Sequence, residues 1–280
     1  MSQPKTPPLP ANRTWEQLRK HYEVEKEIAA RLMAATREER REIYATMYDE
    51  LFERIPDHSR LQIREDPKRT AQTNLSKWLL VKPFIDQSMT FVEFAPGSCR
   101  FAVEVCPHVH GVYGIDISDQ SGQLESVPEN FHLIIYNGYE LDMEQDFADI
   151  VFSDQLLEHF HPEDTGLHLE LVHKILKPGG RYVFRTPHRF SGPHDISAWF
   201  SQDEPEGFHL KEWTYREFDE TLRDIGYSSW KAYRLSKGMM IPVPMSVLKA
   251  IEGMIGGMPR HRRVPLAKHL LKNITLVVEK

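Results

Sequence analysis

Apolar residues recur at helical spacing over the first 85 or so positions, then fall into short runs separated by turns. Thr14, followed by Glu16 and an apolar-periodic stretch to Met33, predicts a capped helix. Ile43, Met47 and Leu51 predict a second helix over about 37–54, broken by Ile55-Pro56-Asp57. Leu75, Trp78, Leu79 and Val81 predict a third over about 70–84. Beyond it, β-rich runs at 90–94, 112–115, 131–136, 150–153 and 182–185 alternate with helical candidates near 100–105 and 162–176. This alternation predicts a Rossmann-like α/β fold, a mostly parallel sheet with helices on both faces. Late runs at 227–235 and 274–279 predict two further strands, and no internal repeat is present. Residues 1–13, Pro-rich and polar, are expected to form a disordered tail before a helical extension over 14–85.

The first strand and the turn after it carry the first chemical signal. Glu93-Phe94-Ala95-Pro96-Gly97-Ser98-Cys99 reads as strand, tight turn and helix start. Small residues there let the backbone approach a ligand at the C-terminal edge of the sheet. The second strand ends at Asp116, about 20 residues after the turn, where a carboxylate can accept both hydroxyls of a ribose. A nucleoside is therefore expected here.

From Glu93 to about Pro187 the chain resembles the class I S-adenosylmethionine-dependent methyltransferases that act on small molecules. The family's acid-x-Gly-x-Gly-x-Gly loop falls on Glu93-x-Ala95-x-Gly97-x-Cys99, with Gly97 alone kept as glycine. The ribose acid corresponds to Asp116, with Ile117 beside the adenine. The turn after the third strand, Asn137-Gly138-Tyr139, stands where the family contacts the adenine amine. Ser153-Asp154-Gln155, leading into Leu156-Leu157-Glu158-His159, matches the segment beneath the methionine part of the cofactor. Lys177-Pro178-Gly179-Gly180 matches the turn into the fifth strand. The resemblance implies a seven-stranded sheet in a methyltransferase domain over 86–280, and S-adenosyl-L-methionine as cofactor. It implies binding by Glu93, Phe94, Ala95, Pro96, Gly97, Asp116, Ile117, Asn137, Gly138, Tyr139, Ser153, Asp154 and Gln155.

Histidine changes the picture on the acceptor side. There are 14, half of them between His159 and His209. Gly and Pro make 185–213 a long loop at the ligand edge of the sheet. His194, Asp195, His209 and His159 are the candidate catalytic residues, with Asp195 orienting a histidine that serves as base. The competing expectation is that these groups only tie down the loop. His161, His168 and His173 are expected on a solvated helix face. A metal site of His194, Asp195 and His209 is disfavoured because adjacent residues converge poorly, and methyl transfer from a sulfonium requires no metal. No metal is expected.

Charge is uneven. The net −6 argues against a nucleic-acid partner. From Lys231 onward ten Lys/Arg stand against Glu252 and Glu279, about +8, which leaves about −14 on the rest. Met239 to Lys272 reads as an inserted basic helical segment. It is either an amphipathic surface touching an anionic membrane or a cap packed on the core. Two cysteines and no apolar N-terminal segment predict a cytoplasmic protein. The expected function is methylation, at oxygen, of a small molecule, glycan or lipid-linked precursor. The alternatives are a non-catalytic S-adenosylmethionine-binding interaction protein and an NAD-dependent oxidoreductase.

Overall fold

The computed structural model describes residues 7–10, 13–64, 66–122, 124, 126–200 and 202–280. Most of the tail expectation for 1–13 lies outside them. Within it, the Pro8 carbonyl accepts from Trp199 Nε1 at 3.2 Å, and buried Arg13 pairs with Asp57 at 2.8 Å.

Among the described residues four helices come first: α1 (Trp15–Ala34), α2 (Arg37–Arg54), α3 (Ser59–Arg64) and α4 (Pro67–Val81). Thr14 and Thr36 cap the first two in reciprocal boxes with Gln17 and Glu39. Asp66 caps α4, with Pro67 in its first turn, so that helix starts and ends earlier than its apolar spacing predicts. The short α3 has no counterpart in the apolar spacing.

The α/β part runs β1 (Thr90–Phe94), α5 (Arg100–Val105), β2 (Gly111–Asp116), β3 (Phe131–Ile135), β4 (Ala148–Asp154), α6 (Asp164–Ile175) and β5 (Leu176–Pro187). Then come α7 (Tyr215–Ile225), β6 (Ser229–Ser236), β7 (Met239–Val243), α8 (Met245–Gly256), α9 (Arg260–Leu270) and β8 (Asn273–Glu279). The sheet order is β3-β2-β1-β4-β5-β8-β6-β7, parallel from β3 to β5 and antiparallel beyond. Among the described residues the sheet has eight strands, one more than the expected seven. Met239–Val243, read as the start of a helical insertion, instead folds back on β6 across the Lys237–Gly238 turn, where both residues adopt positive φ.

The rest of the basic segment packs down. Leu248, Ile255, Ala267 and Leu271 join the core beneath the sheet. Arg260 pairs with Asp203 at 3.1 Å, and the Arg263 guanidinium lies 5.2 Å from the Phe190 ring centroid. No helix of the described residues is long and apolar enough to cross a membrane.

The solvated-face expectation for three histidines fails. His168 is buried, edge-on to Phe94, with Nε2 3.2 Å from the Tyr182 hydroxyl. His161 is buried in the turn before α6, its N–H donating to Tyr44. His173 is half-buried against Tyr227. The side of α6 that carries His168 faces the sheet, so an imidazole satisfied by a tyrosine takes the place of an aliphatic side chain there.

The N-terminal helices are fastened by long-range polar contacts. Arg40 of α2 makes a two-pronged bond to Asp164 at 2.8 and 2.9 Å, with both side chains buried. Glu25 of α1 accepts from His21 Nε2 at 2.7 Å and from the Phe208 N–H at 3.1 Å, tying the long loop to α1. These contacts place both helices over the C-terminal edge of the sheet.

Candidate active site

A cavity of about 300 Å³ opens at that edge. One end is lined by Ala95, Gly97, Ser98, Asp116, Ile117, Tyr136 and Gly138, and the other by Tyr44, Met47, Tyr48, Phe52, Leu156, Phe160, Arg60 and His159. Asp154 and Gln155 lie between, at the exit of β4.

The first end is built on left-handed backbone. Ala95, Gly97 and Cys99 have φ of 54°, 55° and 57°. Two residues that carry a Cβ thus hold a conformation that glycine adopts without strain. A Cβ on Gly97 would meet nothing within 4 Å, so that position is open for close approach. The Gly97 N–H donates to Asp116 Oδ2 at 3.0 Å, and Asp116 Oδ1 accepts from the Ile117 N–H at 2.8 Å. The acid is thereby held at the cavity wall.

Other expected cofactor residues stand behind that wall. Glu93 is buried and paired with Lys77 of α4 at 2.9 Å. Burial pushes its carboxyl above the ordinary value against the pull of Lys77. Phe94 and Ser153 are buried, and the Ser153 hydroxyl lies 2.6 Å from that of Tyr182. Pro96 packs against Gly114. Asn137 turns inward on its own loop, its Oδ1 accepting from the Tyr139 and Glu140 N–H groups. Tyr139 donates to Asp164 at 2.7 Å. Asp154 is gripped by Arg185 through two bonds of 2.7 Å, and Arg185 reaches Ser76 of α4 at 2.9 Å.

The histidine group sits at and beyond the second end. His159 Nδ1 lies 2.8 Å from the Phe208 carbonyl, an acceptor only, so Nδ1 carries the proton and Nε2 the lone pair. Burial holds His159 well below the usual histidine value. A second cavity of about 230 Å³ shares Tyr48, Arg60 and His159 with the first and is lined further by His194, Asp195 and His209.

Two departures from expectation stand out there. Asp195 hydrogen-bonds to no histidine among the described residues: its carboxylate accepts from the Ser197 and Gly207 N–H groups and pins the loop. The carboxylate against the histidines is Glu212, at 2.9 Å from His209 Nδ1 and 3.1 Å from His194 Nδ1. Burial raises the Glu212 carboxyl, but hydrogen bonds from both rings outweigh it and bring the value to about 2. Burial alone would lower His209, yet Glu212, Glu158 and Asp195 lift it above the usual value. Glu212 fits because residue 192 is glycine: a Cβ there would lie 1.9 Å from Glu212 Oε2.

Sequence reasoning also passed over the α2 wall. Tyr44, Tyr48 and Phe52, at four-residue spacing, form an aromatic stripe facing the cavity. That spacing was the available signal.

Fold and cavity together define a Rossmann-like α/β protein whose cavity opens at the β1 and β2 edges. The chain matches the methyltransferase domain family over residues 62–232, more than half of its length, and belongs to it. It is an S-adenosylmethionine-dependent methyltransferase. No curated protein matches the chain. Among solved structures it is similar to Burkholderia thailandensis 1,6-didemethyltoxoflavin-N1-methyltransferase, at 14% identity and TM-score 0.54 over 88% of this chain and 91% of that one. It is also similar to an Archaeoglobus fulgidus SAM-dependent methyltransferase, at 15% and 0.51 over 75% and 94%. A third is the Haloferax volcanii putative methyltransferase in complex with the Trm112 activator, at 16% and 0.51 over 76% and 94%. At these identities the likeness is one of fold.

Proposed function

We propose that the cavity holds S-adenosylmethionine at its β-edge end and a small hydroxyl-bearing acceptor beneath α2, and that transfer is to oxygen. One observation carries the reading: a single cavity joins the Asp116–Gly97 wall to an aromatic chamber ending at His159. In it Asp116 receives the ribose hydroxyls, Ala95 and Gly97 let the backbone meet the methionine part, and Ile117, Tyr136 and Gly138 flank the adenine. Glu93, Phe94, Pro96, Asn137, Tyr139 and Ser153 hold that wall from behind. The residues fit the cofactor: the carboxylate is fixed by two backbone N–H groups, and the space over Gly97 is open.

S-adenosylmethionine supplies a methyl group on a sulfonium, ready for in-line displacement. The chain's task is alignment and exclusion of water. Tyr44, Met47, Tyr48, Phe52, Leu156 and Phe160 give an apolar chamber that suits a flat or alicyclic acceptor over a bulky glycan. His159 and His209, the latter ordered by Glu212, take the hydroxyl's proton as the carbon–oxygen bond forms. His194 holds Glu212 from the other side.

A nitrogen acceptor is the second reading, as the name of the Burkholderia enzyme suggests. A neutral amine needs no base before attack, so His209→Asn separates the two. Transfer from labelled S-adenosylmethionine to a panel of phenols, alcohols and amines is the test. Loss of ~10²–10⁴-fold in kcat on an oxygen acceptor in His209→Asn supports the oxygen reading. Transfer confined to amines and unchanged in the variant overturns it.

A further inference from the structure

Around His159, between the chamber and the second cavity, lies an arrangement that base catalysis alone does not use. One ligand-type atom from each of Glu158, His159 and His209 lies within 4.8 Å of the other two. On both rings Nδ1 is committed, to the Phe208 carbonyl and to Glu212, so Nε2 is the nitrogen with a lone pair to give. Glu158 is fully buried; its Oε2 accepts from the Thr186 hydroxyl at 2.9 Å, while Oε1 has no partner among the described residues. A buried carboxylate oxygen without a partner is costly and calls for a physical reason.

We propose that Glu158, His159 and His209 form a site for one divalent cation of the zinc class. Two imidazoles and one carboxylate suit zinc and its first-row neighbours better than magnesium, which prefers oxygen. The outer contacts are those such a site uses: a ligating histidine donates its other N–H to a carbonyl or a carboxylate, which fixes tautomer and ring direction. Glu158 and His159 are adjacent, but the tight turn Leu157–His159 brings both within reach of His209. Bonds of ~2.0–2.1 Å at tetrahedral angles set ligand atoms ~3.3 Å apart, so the set closes in as the ion binds.

A second such cluster among the described residues, His21, Glu25 and His58, makes the contrast. There Nδ1 of each ring accepts, from Arg13 and from the Arg60 N–H. Each Nε2 therefore carries a proton directed at Glu25, which leaves no lone pair for a metal.

The inference rests on the oxygen-transfer reading. With an ion held by both Nε2 atoms the two rings no longer act as the base; the cation would instead loosen the O–H of an acceptor that reaches it, and the proton leaves to solvent. The oxygen–carbon bond then forms as the sulfur–carbon bond breaks, and the sulfonium becomes a neutral thioether. Arg60, 3.4 Å from His159 Nε2, is the competing positive charge.

Full-length protein stripped with a chelator is titrated with Zn²⁺ and, separately, Co²⁺ in a calorimeter. Binding of S-adenosylhomocysteine is measured on the same preparation. The expected result is one ion per chain, weakened at least ~10-fold in Glu158→Gln and His209→Ala, and ~10-fold in Glu212→Gln, which acts by orienting His209. Arg60→Ala is expected to tighten binding. Thermal melts accompany each variant, and the isosteric Glu158→Gln keeps the test valid if His209→Ala fails to fold. No stoichiometric uptake, or uptake unchanged in Glu158→Gln and Glu212→Gln, overturns the site. If S-adenosylhomocysteine still binds in that event, only the metal inference falls; if the unmutated protein fails to bind it, the cofactor reading falls instead.

Discussion

The two ends of the cavity are built in opposite ways. The β-edge end comes from one continuous stretch: Glu93 to Asp116 supplies strand, turn, helix and acid within 24 residues. The chamber end is assembled from three distant parts, α2 with Arg60, the β4 exit through Phe160, and the loop from His188 to Trp213. A local construction keeps its geometry through backbone conformation, as the three left-handed residues of the first turn show. A distributed one depends on buried polar contacts between elements, namely Arg40–Asp164, Tyr44–His161 and Glu25–Phe208.

That difference predicts where the molecule breaks. Arg40→Ala leaves the buried Asp164 carboxylate without its partner and is expected to cost ~3–5 kcal/mol in denaturant unfolding. It should also loosen the chamber before the β-edge end; hydrogen exchange that rises in α2 and the 188–213 loop but not in β1 and β2 would show this. Equal exposure of both ends would break the comparison.

The acid response is next in size. Burial depresses His168 to about 3 in the folded protein, against about 6.5 in the unfolded chain. Its folded value is the lower one, so the stability it permits is complete above pH 6.5 and is lost as pH falls toward 3. By pH 5 the loss is ~2 kcal/mol. His168→Asn, which does not titrate, is expected to flatten that part of the stability profile, with urea midpoints between pH 7 and 5 as the measure. An unchanged slope would mean that His168 is accessible to water in the folded state.

The smallest effect lies in the β-edge turn. Ala95→Gly removes the left-handed strain on a Cβ-bearing residue and, after the added freedom of the unfolded chain, should stabilise by ~0.5–1 kcal/mol. A destabilised variant would indicate that the Ala95 methyl contributes packing that the backbone argument omits.

The same contrast governs what the sequence made legible. Strands β1 to β5 and the position of Asp116 followed from alternation and spacing, because both are local. Strand β7 did not, since apolar residues in a strand as short as Met239–Val243 do not distinguish it from a helix start. Glu212 was overlooked in favour of Asp195 because Asp195 adjoins a histidine in sequence, whereas Glu212 reaches the same rings from 18 residues beyond His194. The stripe Tyr44, Tyr48 and Phe52 was visible as periodicity, but which surface it covered depended on the contact between Arg40 and Asp164, 124 residues apart.

The central claim, that Asp116 holds the ribose of S-adenosylmethionine at the β-edge end, is tested most directly by calorimetric titration with S-adenosylhomocysteine, with NAD as the control. S-adenosylhomocysteine is expected to bind and NAD not to, and Asp116→Ala to lose ~1–3 kcal/mol, about 5–150-fold in Kd, through lost charge-assisted hydrogen bonds. An Asp116→Ala affinity equal to that of the unmutated protein, or binding of NAD alone, would contradict it.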